Sequence, residues 1–254
     1  MRKNHAPLLL LVSALVLALA GCASVPSWKD CSKASCWQGS NAGTRHMNIL
    51  SPAFSDATFQ QRVKWAEGRG CNTLHLFLVN KGDGEGSGYT ALDPATAKAM
   101  DRRIRWASGR GMGIVLWCMA DDSSAWAKSL DMEALMRVCE DKGWLDIAST
   151  IVVGLEVDEY WSAAQVQQHI ATIRRHYKGK VGVHMSSGKT SFAPYADILF
   201  YQTAPGKSAA QIAAETKKAL GCGKPVNFFE LSRHEDRALA EAALAAGAFG
   251  VGNW

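Results

Sequence analysis

The stretch TIVVGLEVDEYW, Thr150 to Trp161, combines the two features on which the expected fold depends. Its first half is a run of β-branched and aliphatic residues, which is typical of a strand buried in a parallel sheet. Its second half carries three carboxylates, Glu156, Asp158 and Glu159, followed by two aromatic residues. A buried strand usually ends in turn residues, so acids at its tip indicate a functional role for that end of the strand.

Apolar runs of this kind alternate with helix-like amphipathic runs along most of the chain. In DATFQQRVKWAEGRG, for example, Phe59, Val63 and Ala66 fall on one stripe. Such alternation predicts parallel strands joined by right-handed crossovers. The predicted strands lie near residues 46–50, 73–79, 113–119, 150–157, 180–186, 197–202, 225–231 and 248–253. Eight strands of this pattern predict an α/β fold, a closed (β/α)8 TIM barrel in a single domain.

Two connections depart from a complete barrel. The segment SGKTSFAPYA, residues 187–196, is too short and irregular for a full helix, and the sequence stops at Trp254, directly after the eighth strand. We therefore expect incomplete helices after strands five and eight, which a barrel tolerates because it closes through strand pairing. An open doubly wound sheet is the alternative, but its glycine-rich phosphate-binding motif is missing.

The first residues have the order of a secretion signal. A basic start precedes the apolar run LLLLVSALVLALA, which is shorter than the ~20 residues that span a bilayer and ends at LAGC, residues 19–22. LAGC resembles the lipobox of bacterial lipoproteins, which implies a signal peptide at 1–21 and a lipid on Cys22. By the same resemblance, Ala23 in place of Asp after the Cys implies the outer membrane if the cell is Gram-negative. We expect a lipid-anchored protein of the cell envelope, facing the periplasm or the surface.

The composition restricts the partners of the mature chain. Residues 22–44 are rich in Ser, Gly, Ala and Lys and predict a flexible tether before a barrel domain at 45–254. Removal of residues 1–21 takes away two basic residues and no acid, so the formal charge falls from +5 to +3. That charge is too small to predict nucleic-acid binding.

Six cysteines remain beside Cys22, in a compartment that permits disulfides. Cys31 and Cys36, in CSKASC, are the best candidates for a bridge, since they would close a small loop. No second Cys pair or His pair stands at zinc-like spacing, so the sequence predicts no metal, and we expect no cofactor.

The active site of a (β/α)8 barrel lies at the carboxyl ends of its strands. Carboxylates and aromatic residues dominate these ends here, which is typical of sugar sites. We assign catalysis to the acids Glu156, Asp158, Glu159 and Glu230. We assign substrate binding to Trp117, His184, Tyr201, Asn253 and Trp254.

Three short segments resemble the retaining (β/α)8 glycosidases grouped as clan A. VGLEVDEYW resembles their strand-four WEVxNEP, with Asp158 at the Asn and Glu159 at the acid/base Glu. KPVNFFELS is similar to their strand-seven KPVxxTEFG, which places Glu230 at the nucleophile, and GVGNW resembles their strand-eight ending, with Trp254 as a sugar platform. The resemblance implies an envelope-anchored glycoside hydrolase that cleaves a polysaccharide or peptidoglycan by a retaining, two-carboxylate mechanism.

Strand parity leaves another interpretation open. On an extended strand, Glu156 and Asp158 would face the barrel interior while Glu159 would face outward. Two stacked acids resemble the chitinase- and lysozyme-like barrels with DxxDxDxE, although Tyr160 stands at the last acidic position of that motif. A non-catalytic glycan-binding lipoprotein is a further alternative.

Overall fold

The computed structural model describes residues 35–37, 49–68, 71–80, 88–120, 129–232 and 237–253, and at 35–37, 230, 232, 237 and 253 it describes the backbone alone. The signal peptide, Cys22, Cys31 and Trp254 lie outside these residues, so the predictions made for them stay predictions. Within the described ranges, no helix is both long enough and apolar enough to cross a bilayer.

Eight parallel strands form a closed barrel. The barrel strands are β1 (Ser35–Trp37), β2 (Thr73–Phe77), β3 (Gly113–Trp117), β4 (Ala148–Val152), β5 (Lys180–His184), β6 (Ile198–Tyr201), β7 (Val226–Ser232) and β8 (Gly250–Asn253). Each strand pairs with the next, and β1 closes the ring by pairing with both β2 and β8. The expected (β/α)8 barrel is confirmed. A short antiparallel ribbon, Val79–Asn80 with Tyr89–Thr90, follows β2.

The first strand is not where the sequence pattern placed it. Residues 46–50 were the predicted strand, but β1 lies earlier, within the stretch assigned to the tether. Ile49 and Leu50 form a turn and are fully buried. Their segment is held by Arg103, whose Nη1 donates to the carbonyl oxygens of Leu50 at 3.0 Å and Ser51 at 2.8 Å. Ile49 and Leu50 are therefore apolar because they are buried, and not because they pair in a strand.

Helices cover most of the outer face of the barrel. They are α1 (Asp56–Glu67), α2 (Pro94–Gly109), α3 (Met132–Asp141), α4 (Trp144–Ile147), α5 (Val157–Tyr160), α6 (Ala163–His176), α7 (Ala209–Leu220) and α8 (Arg237–Ala245). Phe59, Val63 and Ala66 form the buried face of α1, as their spacing predicts. Ser162 starts α6 with a capping box, which satisfies amides at the helix N-terminus.

The connection from β5 to β6 contains no α-helix. All of residues 185–197 are described, and a 3₁₀ turn, Ala193–Tyr195, is their one helical element. The expectation of an incomplete helix after strand five is confirmed.

Strand side chains alternate between the barrel interior and the helix layer. The interior is largely aromatic. It contains the apolar residues Phe77, Val115, Trp117, Val152, Leu155, Ile198, Phe200 and Phe229, together with two buried histidines, His75 and His184. Gly182 on β5 makes room for this packing, because a Cβ there would lie 2.5 Å from the ring of Phe200. The barrel therefore has a filled core, and a substrate has to bind at its carboxyl end.

Candidate functional site

The acidic stretch does not continue β4 as an extended strand. β4 ends at Val152, and α5 is a single helical turn that begins at Val157. Leu155, not a carboxylate, packs into the barrel interior. The fourth strand is thus shorter than the predicted range, residues 150–157. Glu156 and Asp158 lie beyond its end, so the side-chain alternation of an extended strand does not stack them inside the barrel.

Glu156 makes the turn between β4 and α5 in a left-handed conformation. Its φ of 45° and ψ of 41° make it the one non-glycine residue with positive φ in the described part of the chain. This conformation costs a non-glycine residue roughly 1–2 kcal/mol, and such residues cluster at functional sites. The Glu156 side chain is half-buried.

His184, at the carboxyl end of β5, accepts a hydrogen bond from this turn. The backbone N–H of Glu156 donates to its Nδ1 at 2.9 Å. The ring is fully buried, and its centroid lies 5.7 Å from that of Trp117 and 5.2 Å from that of Phe229. Burial lowers the pKa of His184 to about 3, so the ring is neutral and carries its proton on Nε2. Among the described residues, that Nε2 has no hydrogen-bond partner.

Asp158 is held by the loop that follows β5. Ser186 donates its backbone N–H to Oδ1 and its hydroxyl to Oδ2, each at 2.7 Å, and Lys189 donates Nζ to Oδ2 at 2.6 Å. The Asp158 side chain is only 6% exposed. Burial acts to raise its pKa, but the bonds from Lys189 and Ser186 outweigh burial and lower the pKa below 3.8. Asp158 is therefore ionised and occupied by protein partners.

Glu159 is the exposed acid of the turn. Its backbone N–H donates to the carbonyl oxygen of Glu156 at 2.9 Å. The hydrogen bond to Asp158, followed by the charges of Asp158, Glu159 and Glu156, raises the pKa of Lys189. All three acids therefore act on one exposed cation, and Glu159 faces solvent at the carboxyl end of the barrel.

Three predicted sugar contacts, Trp117, His184 and Tyr201, lie in the protein core. Trp117 is fully buried, and its Nε1 donates to Nδ1 of His75 at 3.0 Å. Tyr201 points to the helix layer, with its ring centroid 5.1 Å from that of Phe228. None of the three side chains is exposed for contact with a substrate.

His75 is the residue that sequence analysis missed. It lies in the middle of β2, is fully buried, and has a pKa lowered by burial to about 3. The one available signal was a histidine inside the apolar run TLHLFLV.

The backbone of β7 is irregular where Glu230 lies. Phe229 belongs to the barrel interior and Leu231 to the helix layer, so strict alternation is broken between them. The pairing register with β8 also shifts between Phe228 and Ser232. Bulges of this kind are frequent next to active sites. The side chains of Glu230 and Asn253 are outside the description, so their distances from Glu159 stay predictions.

The described residues hold no group of three or more His, Cys, Asp or Glu side chains that could bind a metal ion. Cys118, Cys139 and Cys222 are free thiols. The proposed Cys31–Cys36 bridge lies outside the described side chains.

Comparisons with known proteins identify the fold. The sequence matches no protein-family model and no curated protein. A solved GH113 β-1,4-mannanase is similar in structure, with a TM-score of 0.60 and 13% identity over 87% of each chain. A GH5_18 protein from Streptomyces cattleya, solved with Manβ1-4GlcNAc, has a TM-score of 0.59 and 11% identity over 87% of this chain and 70% of that one.

The chain shares the (β/α)8 barrel fold of these solved glycosidases. The same barrel also occurs with other chemistry: YagE of E. coli K12, of the dihydrodipicolinic acid synthase family and solved with pyruvate, has a TM-score of 0.52 and 13% identity over 87% of this chain and 69% of that one. Function therefore has to be argued from the site.

Proposed function

We propose that this protein is a retaining glycoside hydrolase that cleaves a β-linked glycan and is anchored to the bacterial envelope through a lipid on Cys22. The observation that carries the proposal is the placement of Glu159. It is an exposed carboxylate on α5, at the carboxyl end of β4, in a barrel that resembles solved glycosidases.

Glu159 is the proposed acid/base and Glu230 the proposed nucleophile. In the first step the Glu230 carboxylate attacks the anomeric carbon, and the departing oxygen takes the proton of Glu159. In the second step water attacks that carbon and gives a proton to Glu159, while the bond to Glu230 breaks. The β7 irregularity around residue 230 supports this assignment, since it interrupts regular pairing at the required end of the barrel.

The two core histidines and Asp158 are poorly suited to proton transfer. His75 and His184 are fully buried, with pKa values lowered by burial to about 3, so at neutral pH neither can act as an acid. Asp158 is ionised and bound by Ser186 and Lys189. These facts leave Glu156 and Glu159 as the available acids of the β4 tip, and Glu159 is the more exposed.

β-1,4-linked mannose polymers are the first substrates to test. One similar structure is a β-1,4-mannanase, and another was solved with Manβ1-4GlcNAc bound. Schiff-base chemistry of the kind available to a barrel lysine is less well supported, because none of the buried polar residues in the described ranges is a lysine.

The chitinase-like alternative requires stacked acids on an extended fourth strand. β4 instead ends at Val152, and Leu155 occupies the interior position beyond it. The geometry of this strand therefore favours the Glu159 and Glu230 assignment.

The test uses the full chain, purified in detergent, on β-1,4-manno-oligosaccharides, GlcNAc-containing β-glycans and peptidoglycan. We expect hydrolysis of one class, early release of the β-anomer seen by proton NMR, and a loss of about 10³-fold or more in kcat for Glu159→Gln and Glu230→Gln. Glu140→Gln, an exposed acid on α3, is the matched control. Glycan binding that both site variants leave unchanged, without turnover of any substrate, would instead identify a non-catalytic binder.

The anchor is tested separately. Native protein should fractionate with outer membranes and incorporate labelled fatty acid, and Cys22→Ser should lose both properties. Release of unmodified native protein into the soluble fraction would contradict the anchor and leave the enzymatic proposal intact.

A further inference from the structure

We propose that His184 is a positioning residue, whose Nδ1 lone pair holds the left-handed turn at Glu156 and thereby sets where α5 presents Glu159. The inference rests on the proposed function for its kinetic consequence. The contact itself can be measured whether or not the protein turns over a glycan.

The turn requires an external partner because its backbone conformation is unfavourable. Glu156 is not glycine, yet it has a φ of 45°. Its N–H is directed at Nδ1 of His184, 28 residues further along the chain, at 2.9 Å. The carbonyl oxygen of the same residue accepts the N–H of Glu159 at 2.9 Å. One peptide segment thus connects the imidazole of β5 to the exposed acid of α5.

The imidazole is itself fixed in place. It is fully buried, and its ring is in contact with the rings of Trp117 and Phe229, from β3 and β7. A ring enclosed in this way cannot turn Nδ1 away from Glu156 without displacing Trp117 or Phe229. His184 therefore fixes the position of the Glu156 turn relative to the barrel core.

A second attachment acts on α5 from the same side. Ser186, two residues beyond His184, binds both carboxylate oxygens of Asp158 at 2.7 Å. β5 and its loop thus hold the β4 tip at two points, Glu156 and Asp158. The first point controls backbone conformation and the second controls the direction of the helical turn.

His75 provides a matched control in the same core. It is fully buried, accepts one hydrogen bond at Nδ1, and contacts Trp117 and Phe229, as His184 does. It accepts from the Trp117 indole and not from the β4 tip. Replacing either histidine by leucine removes a buried acceptor, but only one of the changes releases Glu156.

The kinetic test compares His184→Leu, His184→Asn and His75→Leu on the best substrate of the glycan panel. Because a displacement of about 1 Å in a catalytic group can cost about 100-fold, we expect His184→Leu to lower kcat about 10- to 100-fold with KM changed less than about threefold. The Asn variant places an amide oxygen near the Nδ1 position and should recover kcat to within about fivefold of native. His75→Leu should lower stability and keep kcat.

The structural test uses NMR of the ¹⁵N-labelled full chain. We expect a scalar coupling across the hydrogen bond between the Glu156 amide nitrogen and Nδ1 of His184, and slow exchange of that amide. Exchange should accelerate at least about tenfold in His184→Leu and return toward native in His184→Asn.

Two results would overturn the inference: a native protein without this coupling, or a folded His184→Leu variant with native kcat. If His184→Leu does not fold, the inference is tested by the scalar coupling in the native protein and by the exchange rate of the Glu156 amide in His184→Asn. Absence of turnover by the native protein would defeat the proposed function, while the amide data would still test the contact.

Discussion

Trp117 and His75 are joined by a hydrogen bond inside the barrel, with the indole Nε1 donating to Nδ1 over 3.0 Å. Both side chains are fully buried, and the indole stacks on Phe229 with ring centroids 4.4 Å apart. Trp117, an aromatic residue at a strand end that the sequence assigned to substrate binding, is thus a core residue that donates a hydrogen bond to a buried imidazole.

Trp117→Phe should destabilise the protein without altering glycan affinity. The change keeps an aromatic ring but leaves Nδ1 of His75 without its donor, which costs about 1–3 kcal/mol in the free energy of unfolding, measured with urea. Calorimetry with the glycan checks affinity. In the double variant Trp117→Phe/His75→Leu the two losses should not add, and simple additivity would contradict the contact.

Acid should destabilise the protein through its two neutral core histidines. The unfolded chain takes up protons on His75 and His184 below their usual pKa of 6.5, whereas burial lowers both folded pKa values to about 3. The unfolded state thus binds more protons, and stability falls as pH drops from 6.5 toward 3. The slope is about 1.4 kcal/mol per pH unit for each histidine.

Urea midpoints measured at pH 7 and pH 4.5 check this prediction. The difference between them should shrink in His75→Leu. An equal difference in the native and variant proteins would mean that His75 does not remain neutral in the fold.

Asp158 and Lys189 should contribute unequally to stability although they form one ion pair. The Asp158 side chain is 6% exposed and accepts bonds from Ser186 as well, whereas Lys189 is 56% exposed. Asp158→Ala should cost about 2–3 kcal/mol in the free energy of unfolding because it leaves buried donors unpaired. Lys189→Met should cost less than about 1 kcal/mol, since exposed pairs contribute little.

The Asp158 contribution should also depend on pH. Its folded pKa lies below 3.8, so its stabilising effect is present above that value and disappears as pH falls through the lower folded pKa. The gap between native protein and Asp158→Ala should therefore narrow in strong acid. A gap that stays constant down to pH 2 would argue against an ionised carboxylate.

Substitutions at Glu156 should rank by backbone conformation. Glycine adopts positive φ at no steric cost, so Glu156→Gly should keep or raise the free energy of unfolding, by up to about 1 kcal/mol. A β-branched residue is strained there, and Glu156→Val should lose about 1–2 kcal/mol or more. Thermal melts of both variants check the order, and the reverse order would mean that the turn is not left-handed in solution.

Periodicity predicted most of the fold because it reports which side chains are buried. Seven barrel strands and the stripe of α1 follow from it directly. It failed for β1, which has three residues in a polar, glycine-rich stretch, too short to show a period. Periodicity also predicted a fourth strand that is too long, because Leu155 and Val157 are buried although neither belongs to β4.

The roles of the acids depend on partners that are distant in sequence. Asp158 is bound by Ser186 and Lys189, 28 and 31 residues away. The Trp117 contact with His75 spans 42 residues. No local sequence pattern contains these pairings. The sequence could therefore identify the acids of the β4 tip, but it could not predict that Asp158 is bound by protein groups while Glu159 is exposed.

The loop of residues 185–197 replaces a helix and also carries the two residues that hold α5. Its residues 187–189 are exposed, which makes them a suitable point for splicing in a foreign domain. Such an insertion should alter the position of α5, because Ser186 and Lys189, which bind Asp158, flank the junction. A ligand-responsive module inserted there would couple its own occupancy to the orientation of Glu159, so that binding of a ligand to the module would move the exposed acid of α5.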